Sequence, residues 1–431
     1  MSEELALFRD LPTRAAPVDA RPARIEEPQR HQVRFECAED LVPPGHPARV
    51  LWSVAGTLDL SPFSKGCRAV EGKAGRSLKS PQMLLTLWMY AISQAIGSAR
   101  EIERLTTSDS AFRWIVGDVE VSHHRLSRFR VQHGEAFSKL VTDVLSVLME
   151  KGLLSLELVA QDGTRVRAAA TAPSFRTYGS LLECRDQAAL HLKAVLAAAD
   201  DPEYTRAQHA ARAAKARDLQ MRVEAAIETV TELQKQKKPD DKPARASTTD
   251  ADARVMKMGD GGFRPAYNVQ YAVAGSELGG PRAVVGIQVT NVGSDMGSLT
   301  PMAEQVEQRT GQLPKSLVAD SGHAKNDDIV AAKQKGIDVI VPPAETAKSI
   351  DRLKAEEAAT EVVEWRERME TDDAKKLYRA RAGLAELNNA HQKTHHGITQ
   401  FLVRGLEKVT CVVMLHALTS NIIQYADKLL P

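Results

Sequence analysis

The sequence predicts an α/β protein: a mixed sheet with helices on its faces, broken by a helical insertion and preceded by an all-helical region. Three patterns predict it. From Asp40 to Leu154 the apolar residues recur with helical spacing. From Gly152 onward, strand-like and helix-like segments alternate as β-β-β-α-β-α-β-α, the order of a mixed sheet covered by helices. Between the first two of those strands, residues 177–238 are rich in Ala, Glu, Lys and Arg with spaced Leu and Val, which reads as one or two long helices, a bundle inserted into another domain.

Residues 1–33 are rich in Pro, Ala and Arg with little periodicity and read as a mobile arm. The helical region occupies 34–154. Its best-marked start is Ser80-Pro81, an N-cap residue followed by Pro in the first turn. Within it, Ser122 to Arg130 presents His123, His124, Arg125, Arg128 and Arg130, cationic and polar groups of the kind that reach phosphates and base edges from a DNA groove. A solvated helix face accounts for the same pattern.

After Gly152, LELVAQDGTRVR reads as a strand delivering Asp162 into a tight Asp-Gly turn. The stretch KKPDDKPARASTTD reads as a linker closing the insertion over 177–249. Two further strands, FRPAYNVQYAVAG and PRAVVGIQVTNVG, flank a Gly-rich hairpin loop near Gly275 to Pro281. LTPMAEQVEQRTG is a helix, KSLVAD a short buried strand, AKNDDIVAAKQKG a helix and IDVIVPP a strand. The sheet-bearing domain is therefore expected over 155–176 and 250–425. Asp320 ends its strand KSLVAD, at the edge where α/β folds gather their chemistry.

A closing helix is expected from Leu377 to about Lys393. Leu377, Ala380, Leu384 and Leu387 make an apolar stripe, while Arg379, Glu386 and Lys393 recur every seven residues on the other side. Alone, this is an ordinary amphipathic helix with solvated charges.

Composition narrows the partners. With 431 residues and 43% hydrophobic content the chain can bury at least one large core. Lys+Arg 57 against Asp+Glu 56 leaves a formal charge of +1, so any basic surface has to be local. Cys37, Cys67, Cys184 and Cys411 lack metal-ligand or redox spacing, which fits free thiols in a reducing cytoplasm. The N-terminus has no apolar leader, and no run approaches a membrane span.

Asp162, Asp320 and Glu386 thus stand on three separate elements. Neighbouring carboxylates repel when ionised, and their simplest joint use is to hold divalent metal. Two hard cations about 3.5–4 Å apart suit displacement at phosphorus.

In this order, the segments PQMLLTLWMYAISQAIGSAREIERL, FRWIVGD, DGTRVRA, GGFRPAYNVQYAV, VTNVGSDMGSLTPM, LVADSGH, YRARAGLAE and HGITQFLVRGLEKV are similar to those of DDE transposases of bacterial insertion sequences, most closely the insertion sequence 1182 group. The resemblance implies an RNase H-like core in which Asp162, Asp320 and Glu386 bind two magnesium ions, with manganese as a substitute. The family's Tyr, Arg and Lys around its glutamate match Tyr378, Arg381 and Lys393, with Arg379 an equal candidate for the phosphate contact. It also implies cleavage at the transposon ends and joining of the 3′-hydroxyls to target DNA. The partners are double-stranded DNA, as terminal inverted repeats and target, and a second copy of the chain; the setting is the bacterial cytoplasm, on the nucleoid. The helical region over 34–154 is then the DNA-binding and assembly part. A catalytically inactive regulatory derivative, or a nuclease without strand transfer, would share the same three acids.

The chain departs from the family at several points. Leu387, Asn388 and Asn389 come after the glutamate where Pro and an aromatic are common. His323 stands where Tyr is common, as a phosphate contact or a helix cap, the cap preferred. Arg381 lies one residue further from the glutamate than the broad family spacing. Asp260 and Asp295 read as loop caps, with a supporting role at the site as the alternative. His391, His395 and His396 lack the further soft ligands a zinc site needs.

Overall fold

A computed structural model describes residues 36–65, 77–198, 203–275, 280–344 and 347–430. The arm expected over 1–33, Cys67 and the hairpin tip at 276–279 lie outside them.

The first part is helical, as its periodicity requires: α1 (Pro47–Thr57), α2 (Pro81–Ser93), α3 (Ala99–Ser108), α4 (Ser110–Val116), α5 (His123–Gln132) and α6 (Gly134–Glu150). Short polar side chains start these helices. Ser80, Ser98 and Ser122 accept from the backbone N–H groups of Met83, Glu101 and Arg125, and Asp109 accepts from Ala111 and Phe112. Each such cap satisfies an otherwise orphaned donor, worth about 1 kcal/mol. Helix α2 is buried from Met83 through Ile92, which is why its sequence is apolar on every side.

The sheet begins with β1 (Leu158–Arg167), which runs straight through Asp162 and Gly163. The tight turn expected there does not form. Asp162 pairs with Tyr271 and Gly163 with Gln270 of β5 (Phe263–Gly275), antiparallel. The short β2 (Phe175–Arg176) pairs with β3 (Ala246–Ser247), so the supposed linker is tied down at its end. Between them the expected helical stretch is two helices, α7 (Tyr178–Ala197) and α8 (Arg206–Lys235), which pack as a hairpin through a small cluster of Leu181, Ala226 and Val230.

One edge of β5 carries both β4 (Arg254–Lys257) and β6 (Arg282–Thr290); its other edge carries β1. On the far side of β1 lie β7 (Ser316–Val318) and then β8 (Asp338–Ile340), both parallel to their neighbours. The result is a mixed six-stranded sheet, antiparallel on one side of β1 and parallel on the other. Helices α9 (Leu299–Thr310) and α10 (Asn326–Gln334) complete the alternation. Asp328 of α10 caps α9 by accepting from Leu299 and Thr300 N–H, which locks the two together.

The C-terminal part is helical: α11 (Ile350–Ala355), α12 (Thr360–Glu370), α13 (Asp372–Arg381), a π-helical turn (Ala382–Glu386), α14 (Leu387–Thr394), α15 (Leu406–Gln424) and α16 (Ala426–Leu429). The sequence suggests no stretch near a membrane span, yet α15 is long and apolar enough by length and composition; most of it is buried in the protein. It is a core helix. It packs against β6 on one side and α2, α5 and α6 on the other, and Asn421 closes the strand edge by bonding both N–H and C=O of Val284. One continuous apolar core therefore runs from the N-terminal helices through α15 into the sheet.

Candidate active site

Strand register brings the two aspartates together. Ala160 of β1 stands beside Val318 of β7 in a parallel pair, and each aspartate lies two residues further along its chain. Two residues return a side chain to the same face, and neighbouring strands lie about 4.8 Å apart. Asp162 and Asp320 thus emerge abreast at one end of the sheet. Their charges interact: Asp320 raises the Asp162 pKa, although burial is the larger cause of that upward shift, while Arg381 opposes it. Asp320 is held below the ordinary carboxylate range, chiefly by its hydrogen bond from His323.

The closing helix lies over this edge. Ala374, Leu377 and Tyr378 of α13 seat on Leu158, Val318 and Ile340 of β1, β7 and β8. Beyond Arg381 the helix makes a π turn, one residue wider than an α turn. That turn absorbs the extra residue between Arg381 and Glu386 and leaves them facing each other at 2.5 Å. Arg381 also reaches Asp162, at 3.5 Å, and so bridges it to Glu386. Arg379 is exposed on the other side, where it shares a cavity of about 390 Å³ with Tyr378, Lys375 and Arg366. Lys393 is half-buried within the field of Asp162, which draws its pKa up against the stronger downward pull of burial.

The π turn also changes which residues face inward. Leu387, expected in the apolar stripe, is 39% exposed. Its place is taken by Asn388, Asn389 and Gln392, all buried. Asn389 donates to Asp162 Oδ2 at 2.9 Å, and its own Oδ1 has no partner. In the sequence this residue stands out only as a departure from the family; a polar residue one turn after the glutamate on a helix crossing β1 was the available signal.

Three other expectations change. His323 is fully buried, with Nδ1 2.7 Å from Asp320 Oδ1, so it supports the carboxylate; it neither meets a phosphate nor caps the following helix, whose N-cap is Lys325. Arg130 is buried too: it donates to Gly97 O at 2.6 Å and stacks 4.7 Å from the Trp88 ring centroid, and burial pushes its pKa down to about 10. It is a packing residue; of the basic α5 set His124, Arg125 and Arg128 are exposed, and His123 is half-buried. Asp295, expected as a loop cap, is buried and accepts from Arg165, Asn268 and Gln270. Asp260 is a surface turn residue paired with Arg264, as expected.

Among the described residues no three His, Cys, Asp or Glu side chains converge as a metal cage. The donor chemistry nonetheless suits a hard divalent cation: two aspartates abreast, the unpartnered Asn389 oxygen beside one of them, and Glu386 held nearby by Arg381.

Two family models match the chain, one toward each end. Residues 345–426 match the family model of the transposase DDE domain, and residues 36–132 match that of a transposase domain, DUF772. Together these matches support a transposase of the DDE type. The first covers Glu386 and the whole closing helix; neither covers Asp162 or Asp320. No curated protein and no solved structure matches the chain.

Proposed function

We propose that the protein is the transposase of a bacterial insertion sequence, of the insertion sequence 1182 group, which cuts DNA at the element's ends and joins the freed 3′-hydroxyls to target DNA. The observation that carries this reading is the parallel register that sets Asp162 beside Asp320 beneath a helix bearing Glu386, Arg381 and Lys393. Asp162, Asp320 and Glu386 would hold two magnesium ions, or manganese in their place. When bound, such ions supply Lewis-acid charge for in-line displacement at phosphorus.

The protein's own groups do the rest. Arg381 offsets the charge of Asp162 and Glu386, which a polyanionic strand would otherwise meet unscreened. Tyr378, its ring centroid 5.7 Å from the Arg381 guanidinium, and Arg379 line the cavity on the other side of the closing helix, where they would contact the DNA backbone, while Lys393 lies in the field of Asp162 from the next part of the same helix. Arg125 and Arg128 project from α5 and fit contacts to the terminal repeats. Cutting two ends together requires two active sites, so a dimer on DNA in the cytoplasm is the expected working form.

The test is incubation of the purified chain with a labelled fragment carrying the element's end, in magnesium or in calcium. Nicking and joined products in magnesium are expected, and Asp320→Asn should lower cleavage by about a hundredfold or more while retaining end binding. Binding without cutting would favour an inactive regulatory protein, cutting without joining a nuclease, and full cleavage by Asp320→Asn would remove the proposed site.

A further inference from the structure

Every hydrogen bond that Asp320 receives among the described residues falls on one oxygen. Oδ1 accepts from Gly322 N–H at 3.0 Å and lies 2.7 Å from His323 Nδ1, so Oδ2 is left without a partner. The His323 ring is itself held from behind. Its Nε2 lies 3.2 Å from Gln270 Oε1, and the amide end of Gln270 donates to Asp295 Oδ1 at 2.5 Å. Asp295 fixes which way that amide points: its Oδ1 also accepts from Asn268 at 2.6 Å, and its Oδ2 accepts from Arg165 at 3.1 Å. Gln270, Asn268 and His323 are at most 1% exposed, so no solvent competes for these groups.

The backbone leaves room for this arrangement at both aspartates. A Cβ on Gly163, next to Asp162, would stand 2.2 Å from Gln270 Nε2 and 2.8 Å from Asp295 Oδ1. A Cβ on Gly322 would stand 3.0 Å from Asp320 Oδ1 and 3.7 Å from Asp295 Oδ2. The two glycines therefore border the same buried carboxylate. Burying a charge with two amides is costly compared with an apolar core, and a fully connected network repays that chiefly in fixed geometry.

We propose that Gln270 and Asp295 are positioning residues that act through His323 to hold Asp320 with Oδ1 occupied and Oδ2 presented to a divalent cation. This rests on the metal-binding reading of Asp320 given above. Residues that orient a ligand from behind typically change metal affinity by about 10–100-fold when removed.

The full-length protein is titrated with Mn²⁺ alone and free ion is read by electron paramagnetic resonance, with circular dichroism confirming the fold. Gln270→Leu and Asp295→Ala should each weaken Mn²⁺ binding by about 10-fold or more. Asp295→Asn keeps an oxygen toward Gln270 and should recover most of the affinity. A folded Gln270→Leu protein with unchanged affinity would overturn the inference; if that variant unfolds, the contrast between Asp295→Ala and Asp295→Asn decides. Equal losses in those two would assign the effect to the charge of Asp295 and overturn the relay through Gln270. Asp320→Asn separates the layers: if it binds Mn²⁺ like the parent chain, the metal-site reading itself fails and the inference falls with it.

Discussion

His416 and His396 are buried titratable residues, and neither serves the proposed site. Both are at most 8% exposed, and His416 Nδ1 has no hydrogen-bond partner. Burial pushes the pKa of His416 down to about 3 and that of His396 down to about 4. Their unfolded-state values lie near 6.5, so the folded values are depressed. The stability tied to keeping these rings neutral is then fully present above about pH 6.5 and is lost as pH falls toward 4, because the unfolded chain takes up protons that the folded one refuses. From pH 6.5 to 5 each ring accounts for roughly 2 kcal/mol at most. Denaturant midpoints are expected to fall over that interval, with a shallower fall in His416→Phe; an unchanged slope in that variant would show that His416 is solvated. Asp320 has the same sign at lower pH: held below its usual value, it contributes stability that disappears only in acid.

At the level of elements, the alternating and helical patterns placed β1, β5, β6, α9, β7, α10, β8 and the closing helix in the right order, because burial on one face writes a period of 2 or 3.6 into the chain, whereas β4 and the central helix α15 were not anticipated. The misreadings share a cause: a local signal was outweighed by a distant partner. Asp162-Gly163 has the composition of a turn, yet β1 continues through it because the glycine makes room for Gln270 and Asp295, more than 100 residues away. Arg130 shares a helix with two exposed arginines but meets Trp88 from another helix. The π turn was visible only as a spacing one residue too long, and Asn389, which it turns inward onto Asp162, only as a polar residue one turn after the glutamate. If that turn is a one-residue insertion, deleting Gly383, whose Cβ position meets nothing within 4 Å, should restore an α-helix without moving Arg381, Glu386 or Asn389. The thermal midpoint is expected to hold or rise. Deleting Ala390, in regular α-helix, should rotate Gln392 and the rest of α14 by about 100° and lower the midpoint by several degrees. Equal damage from both deletions would mean that the wide turn is fixed by its surroundings.

For the whole molecule, the decisive feature is that the two ends of the chain share a core. The N-terminal helices would ordinarily be assigned their own domain, but α15, close to the C-terminus, is inserted between them and the sheet, with Val409, Val413, Leu415, Leu418 and Ile422 almost fully buried. Arg309 of α9 adds a polar tie across the same boundary, donating to the Ser138 carbonyl of α6 at 3.1 Å. Fully burying a side chain of the Val or Leu class is worth about 1.5–3 kcal/mol, so a fragment that loses α2, α5 and α6 exposes one flank of its own central helix. A chain of residues 155–430 is therefore expected to aggregate or to bind hydrophobic dye, and the intact protein to unfold its N-terminal helices and sheet in one calorimetric transition, with equal van't Hoff and calorimetric enthalpies. The α7–α8 hairpin, packed mainly on its own cluster, is the one part expected to melt separately. A soluble, cooperatively folding 155–430 fragment would show that the helices are an attached module. The shared core bears on the proposed function: DNA contacts at Arg125 or Arg128 would load α5, which packs on α15, which packs on β6, two strands from Asp162.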